Sequence, residues 1–261
     1  MDEAAFFKQL DERSFLAEPS TVGPWAPDAQ HGGPPCALIA SAIEEASAAP
    51  GTELSNLSVE FLKPVPLGKL DVDVRAVRSG YKVALYEAEL GNEDGPCMLA
   101  RAWRTRREEG RVPEVSLAEP TGRDPAGLPS ADLYHFPYIA QVDWRFEEGA
   151  FADPGPAVVH ARPRIPLVQG RAMTGLEALL VMVDSANGFS QELPMDSYIY
   201  VPVSLFVSLV ALPDPGGFIT FDSHTRISSS GIGITETTIS QAGKFVGSAM
   251  HTLYVEPRKQ P

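Results

Sequence analysis

Cysteine is almost missing from this sequence: Cys36 and Cys97 are the only two among 261 residues. Two thiols so far apart make neither a disulfide framework nor a thiolate zinc site, and they suit a reducing compartment. A run of about 20 apolar residues, the length a membrane-spanning helix needs, is also lacking. The first residues, Met1-Asp2-Glu3, are acidic where a secretory signal would be basic, so the expected location is the cytoplasm. Basic residues are scarce too, with 21 against 34 acids and a formal charge of −13. That balance repels phosphate backbones and anionic lipid, which argues against nucleic acid as a partner. There is no Gly-x-Ser-x-Gly elbow, no Gly-x-x-x-x-Gly-Lys phosphate loop and no His-Glu-x-x-His helix. Hence neither a metal nor a separate cofactor is expected.

What is present is an ordinary globular mixture, 44% hydrophobic and 21% charged, in a chain long enough for one large domain or two of roughly 130 residues. Gly32-Gly33-Pro34-Pro35 punctuates the start of an apolar helix over 36–48, where Ile39, Ala42, Ile43 and Ala46 fall at helical spacing. Strands follow at 57–62, 70–77, 83–90 and 98–106. In the second of them Val72, Val74 and Ala76 alternate with Asp71, Asp73 and Arg75, the period of a half-buried strand. The same order returns later, with a helix over 170–183 stopped by Asn187-Gly188, then strands at 201–211, 218–227, 232–240 and 245–255. Pairing Ser58 with Ser204 and Gly80 with Gly231 displaces the two runs by roughly 150 residues, the mark of an internal duplication. Pattern therefore predicts a duplicated α+β protein: residues 1–107, a Pro- and Gly-rich linker over 108–137, and residues 138–261.

The stretch His31-Gly32-Gly33-Pro34-Pro35-Cys36, then Val59-Glu60-Phe61-Leu62-Lys63-Pro64 and Arg78-Ser79-Gly80, resembles the N-terminal half of acyl-CoA thioesterases of type II. Val183-Asp184, Pro202-Val203-Ser204-Leu205 and Val246-Gly247-Ser248-Ala249-Met250-His251 fall where that family's second half carries its reactive residues. The resemblance implies two tandem hotdog domains, each a long helix on a curved antiparallel sheet. It also implies hydrolysis of an acyl-CoA thioester by an activated water, with coenzyme A entering only as part of the substrate. The family trio of aspartate, hydroxyl and glutamine would be carried by Asp184 and Ser204, while His251 occupies the glutamine position. An imidazole titrates near neutral pH and an amide does not, so this exchange bears directly on activity.

The residues themselves leave alternatives open. Asp184 ends an apolar helix, where the macrodipole disfavours an anion; it is either a compensated functional carboxylate or a simple end cap. Ser204 in a strand is equally an ordinary small residue, and His251, alternating with Ala249 and Leu253, equally a core histidine. His31, Gly32 and Gly33 open a helix whose free amides, with that of Cys36, are candidate oxyanion donors, although Pro34 and Pro35 remove two. Arg101, Arg104, Arg106, Arg107, Lys63 and Arg78 are the available partners for coenzyme A phosphates. Two rival activities share the fold: acyl-CoA binding without cleavage, and hydration or dehydration of an enoyl thioester. Further association into a homo-oligomer is expected.

Overall fold

The computed structural model describes residues 4–46, 51–118, 122–132, 136–151 and 153–258. Its first half runs as strands β1 (Phe7–Gln9) and β2 (Ser14–Ala17), helix α1 (Gly33–Ala46), and strands β3 (Thr52–Phe61), β4 (Gly68–Arg78), β5 (Val83–Asn92) and β6 (Gly95–Arg106). The second half repeats that order: β7 (Val142–Glu148), β8 (Ala157–Pro163), α2 (Gly175–Val183), a four-residue α3 (Ala186–Phe189), then β9 (Tyr198–Leu209), β10 (Ile219–Ile227), β11 (Ile232–Gln241) and β12 (Lys244–Pro257). The predicted meanders are present with slightly longer strands. Two elements of each half were not foreseen, the hairpins β1–β2 and β7–β8, which add edge strands beyond β4 and β10.

All twelve strands form one sheet in the order β1-β2-β4-β5-β6-β3-β9-β12-β11-β10-β8-β7. Exchanging the halves reverses this list, so the fold carries a pseudo-twofold axis at the antiparallel β3–β9 seam, where Val59 opposes Leu205. One sheet face is apolar. Leu57, Val59, Leu205, Val207 and Ala249 are buried on it and join α1 and α2 in a single hydrophobic cluster that spans both halves.

The helices start and stop for local reasons. In α1 the two prolines occupy the first turn, where a missing N–H costs nothing. In α2 the predicted start at 170 moves to Gly175, because Thr174 and Glu177 form a reciprocal capping box. The two helices pack antiparallel and very close. A Cβ on Gly33 would stand 2.0 Å from the carbonyl oxygen of Val181. At the other end of the pair Glu177, only 3% exposed, accepts hydrogen bonds from the Ser41 hydroxyl at 2.7 Å and from Arg171 at 3.1 Å.

Two described parts of the segment read as a linker, around Leu117 and from Arg123 to Leu128, bond to the sheet of the second half. Phe245 donates its N–H to the Leu117 carbonyl at 2.9 Å, Arg123 donates its N–H to the Glu147 carboxylate at 3.0 Å, and Arg145 donates to the Pro125 carbonyl at 2.7 Å. The buried His160 bridges Glu147 and Thr220, each at 2.9 Å. The segment's composition is that of a linker, but its described backbone groups are held by backbone and side-chain groups of the sheet.

The α1–α2 contact sets a test of the fold. Gly33→Ala is expected to lower unfolding stability by about 1–3 kcal/mol, the usual cost of overpacking a rigid contact, because the opposing group is backbone and cannot rotate away. Urea unfolding midpoints of the two proteins measure it, and an unchanged midpoint would contradict the helix packing.

Candidate active site

Where α2 ends, the chain turns at Asp184 into α3, and the start of α1 lies across that turn. Asp184 is 4% exposed, an expensive place for a carboxylate unless charges or dipoles compensate it. Three groups lie against it. His31 brings Nδ1 to 3.3 Å from one carboxylate oxygen, and His251 brings Nε2 to 3.3 Å from the other. The third is the N-terminus of α1, whose dipole opposes the unfavourable end of α2 and whose approach requires a residue without a side chain. A Cβ on Gly32 would lie 2.7 Å from Asp184 Oδ2 and 2.8 Å from the Phe61 ring.

The electrostatics follow from these neighbours. Burial raises the Asp184 pKa, but the His251 imidazole, the nearby His31 and the Gly32 amide together bring it below the ordinary carboxylate value. Burial is also the main influence on His31. It lowers the imidazole pKa, Asp184 opposes the shift, and His251 reinforces it. The ground state is thus an anion beside a neutral His31. Its Nδ1 accepts the Gly33 N–H at 3.1 Å, so in the neutral form it presents a lone pair, not a proton, to Asp184. The Asp184–His251 approach is close but off the hydrogen-bonding axis. Asp184 Oδ1 and both His251 nitrogens are left without an aligned partner, an arrangement that a water or a reacting group would complete.

His31 is held from its far side by the second half of the chain. Its ring stacks on Tyr138 with centroids 3.9 Å apart and planes 10° from parallel. The Tyr138 hydroxyl donates to the Val181 carbonyl at 2.8 Å and lies 2.9 Å from the Ser185 hydroxyl, so one buried phenol braces both His31 and the end of α2. Burial raises the Tyr138 pKa, keeping it protonated as a donor.

Of the residues singled out in the sequence, His31, Gly32, Gly33, Asp184 and His251 converge here. Ser204 does not. It pairs with Thr252 and Glu60, one step from the His251–Leu205 and Val59–Leu205 pairs, and alternation turns it to the opposite sheet face. No hydrogen bond joins Ser204 to Asp184 or His251 among the described residues, so the trio drawn from the family pattern is not assembled as drawn. The helix-start amides expected to face an oxyanion are also engaged. Gly33 donates to His31, Cys36 donates to the Gly32 carbonyl at 3.1 Å, and the Gly32 amide supports Asp184.

Two clefts open beside the carboxylate. One, about 1000 Å³ and open to solvent, is lined by Asp184, Gly32, Phe61, Leu62, Lys63 and Val201 among others; the second, about 860 Å³, is lined by Phe136, Ile139, Phe151, Met195 and Arg258 among others. Both include Trp25, His31 and Asn187. Most of the arginines considered for phosphate binding are committed elsewhere. Arg104 is buried against Glu44 and the Thr52 carbonyl, Arg101 pairs with Glu87, Arg107 with Glu53, and Arg106 covers the Tyr81 ring. Lys63 and Arg258 are the cations that line the clefts. Sequence reasoning missed Tyr138 and Asn187. Tyr138 stands first after the stretch read as linker, and Asn187 was taken only as part of a helix stop.

A continuous antiparallel sheet with its apolar face on a helix pair, and an acid–imidazole cluster where the two halves meet, describes a double hotdog protein of the thioester-hydrolysing class. The sequence matches the acyl-CoA thioesterase N-terminal domain over residues 21–105 and the acyl-CoA thioesterase C-terminal domain over residues 113–255, so the chain belongs to the acyl-CoA thioesterase family. Among solved structures it is similar to a protein assigned as a thioesterase II from Thermobifida fusca YX, with a TM-score of 0.76 and 18% identity over 96% of this chain and 95% of that one. A hot dog fold protein of unknown function from Alicyclobacillus acidocaldarius gives 0.76 and 15% over 97% and 96%. An acyl-CoA thioesterase II from Mycobacterium marinum gives 0.71 and 14% over 98% and 97%. At these identities the likeness establishes the fold. No curated protein matches the sequence.

The buried cluster makes a pH prediction. His31 has a folded pKa below its ordinary 6.5, so just below that pH the unfolded chain binds more protons than the folded one, and stability falls as pH drops. Asp184, depressed below 3.8, supplies stability that is complete above that value and lost as pH falls further. In urea titrations at about pH 7.5 and about pH 5.5, His31→Gln is expected to reduce the difference in stability between the two conditions. An undiminished difference would remove His31 as its source.

Proposed function

We propose that this chain hydrolyses an acyl-CoA thioester to a free acid and coenzyme A, using a water held at Asp184 and no covalent acyl-enzyme. The observation that carries this reading is the buried Asp184 carboxylate between His31 and His251, each at 3.3 Å, at the side of an open, largely apolar cleft. The water oxygen adds to the thioester carbonyl carbon, and its proton passes into the carboxylate–imidazole cluster. The tetrahedral oxyanion then collapses and the carbon–sulfur bond breaks with its electron pair on sulfur. The leaving thiolate takes up the proton.

The unsatisfied atoms of Asp184 and His251 support a site that is completed only when water and substrate are bound. Lys63 and Arg258 give the anionic substrate local attraction within a chain of net charge −13. Ser204 has no part in this scheme. His251, which the resemblance sets at the family's glutamine position, takes a place beside Asp184.

Thiol release from a series of acyl-CoA substrates, measured for the wild type and for Asp184→Asn, tests the proposal. The variant is isosteric and is expected to lose roughly 10²–10⁴ in turnover, the range contributed by a positioned acid or base, while still unfolding in one cooperative transition. Undiminished turnover would reject Asp184 as the centre. Tight binding with no thiol release from the wild type would instead identify an acyl-CoA binding protein.

A further inference from the structure

Asn187 is 6% exposed, and its side chain has no hydrogen-bond partner among the described residues. A primary amide offers two donors and two acceptors, and because Asn187 lines clefts that open to solvent, its amide is available to a ligand that enters them. It sits in α3, three residues after Asp184. With His31 and Trp25 it belongs to both clefts, so it stands where they meet. A thioester has the matching shape, with an acyl arm and a pantetheine arm diverging from one carbonyl group.

The backbone amides at the start of α1 are already engaged. Gly33 donates to His31 Nδ1, Cys36 donates to the Gly32 carbonyl, the Gly32 amide supports Asp184, and Pro34 and Pro35 have no N–H. The position of Asn187 is also fixed from behind. Ser190 donates its hydroxyl to the Ala186 carbonyl at 2.7 Å and lies 2.8 Å from the Thr225 hydroxyl, which in turn lies 2.7 Å from that of Thr235. Thr235 is the cross-strand neighbour of His251. This buried ladder of hydroxyls fastens the short α3 to the strands that carry and flank the histidine.

We infer that the Asn187 side-chain amide donates a hydrogen bond to the thioester carbonyl oxygen, with one arm of the substrate in each cleft, and so stabilises the oxyanion formed when water adds. This rests on the proposed hydrolysis. The N–H···O bond strengthens as the carbonyl electron pair moves onto oxygen, and it is returned to the carbonyl when the carbon–sulfur bond breaks. The amide itself gains and loses no atoms.

Steady-state thiol release by the wild type, Asn187→Ala and Asn187→Asp across a range of pH tests it, with unfolding midpoints as a control. Asn187→Ala is expected to lower kcat about 100-fold with KM within about threefold, the signature of a lost transition-state donor. Asn187→Asp keeps the shape but removes the donor while ionised, so its activity should rise relative to that of Asn187→Ala on acidification, as the carboxyl regains a proton to donate. A kcat for Asn187→Ala close to that of the wild type overturns the inference, and so does an equal loss for both variants at every pH. A wild type that releases no thiol overturns the hydrolytic proposal itself, and this inference with it.

Discussion

The site depends on the backbone of α1 crossing the last turn of α2 with no room for a side chain between them. Gly33 lies against the Val181 carbonyl, and the same carbonyl accepts the buried Tyr138 hydroxyl. That contact fixes where α1 begins relative to where α2 ends, and it carries Gly32 and His31 onto Asp184. Any residue larger than glycine at position 32 or 33 would push the two halves apart at the point where their polar groups must meet. Packing and chemistry therefore share one constraint. The tight crossing that lets α1 and α2 join one core is also what surrounds a carboxylate with an imidazole and a helix start.

How much of this could be read beforehand differs from residue to residue. Val72, Val74, Asp71 and Asp73 alternate cleanly, so β4 and its neighbours were legible, as was the duplicated order of helix and strands. His251 was correctly placed on one face with Ala249 and Leu253, and each of the three is buried, Leu253 in a cluster separate from that of Ala249. Ser204 was not legible, because Val203, Leu205, Phe206 and Val207 around it are all apolar and give no period from which to tell its face. The three-residue β1 is too short to show any period, and β7 begins just after a stretch with the composition of a linker. The meeting of His31 with Asp184 spans most of the chain and depends on a helix crossing. Local pattern carries no information about such a contact, whereas family resemblance pointed to both residues separately.

The pseudo-twofold arrangement supplies a comparison inside the molecule. Because α1 and α2 are antiparallel, each end of the pair brings the start of one helix to the end of the other. At one end Glu177, in the first turn of α2, caps its own helix through Thr174 and accepts from Ser41 and Arg171, while Arg171 also pairs with Glu45 near the end of α1. At the other end Asp184 meets His31, Gly32 and His251. Both junctions bury an acid, and both acids have a cationic or potentially cationic neighbour.

They differ in completeness. Each Glu177 oxygen has a partner, so that junction is a closed network whose removal would leave buried donors exposed to nothing, which is the behaviour of a structural clamp. At the Asp184 junction one carboxylate oxygen and both imidazole nitrogens lack aligned partners, and Asn187 lines the clefts beside them. Burial of so many unsatisfied groups is unfavourable for folding and persists where the missing partner arrives with a ligand. Duplication gave the fold two equivalent helix junctions. One is satisfied by its own residues and holds the halves together, so the other can remain unsatisfied without loss of the architecture around it.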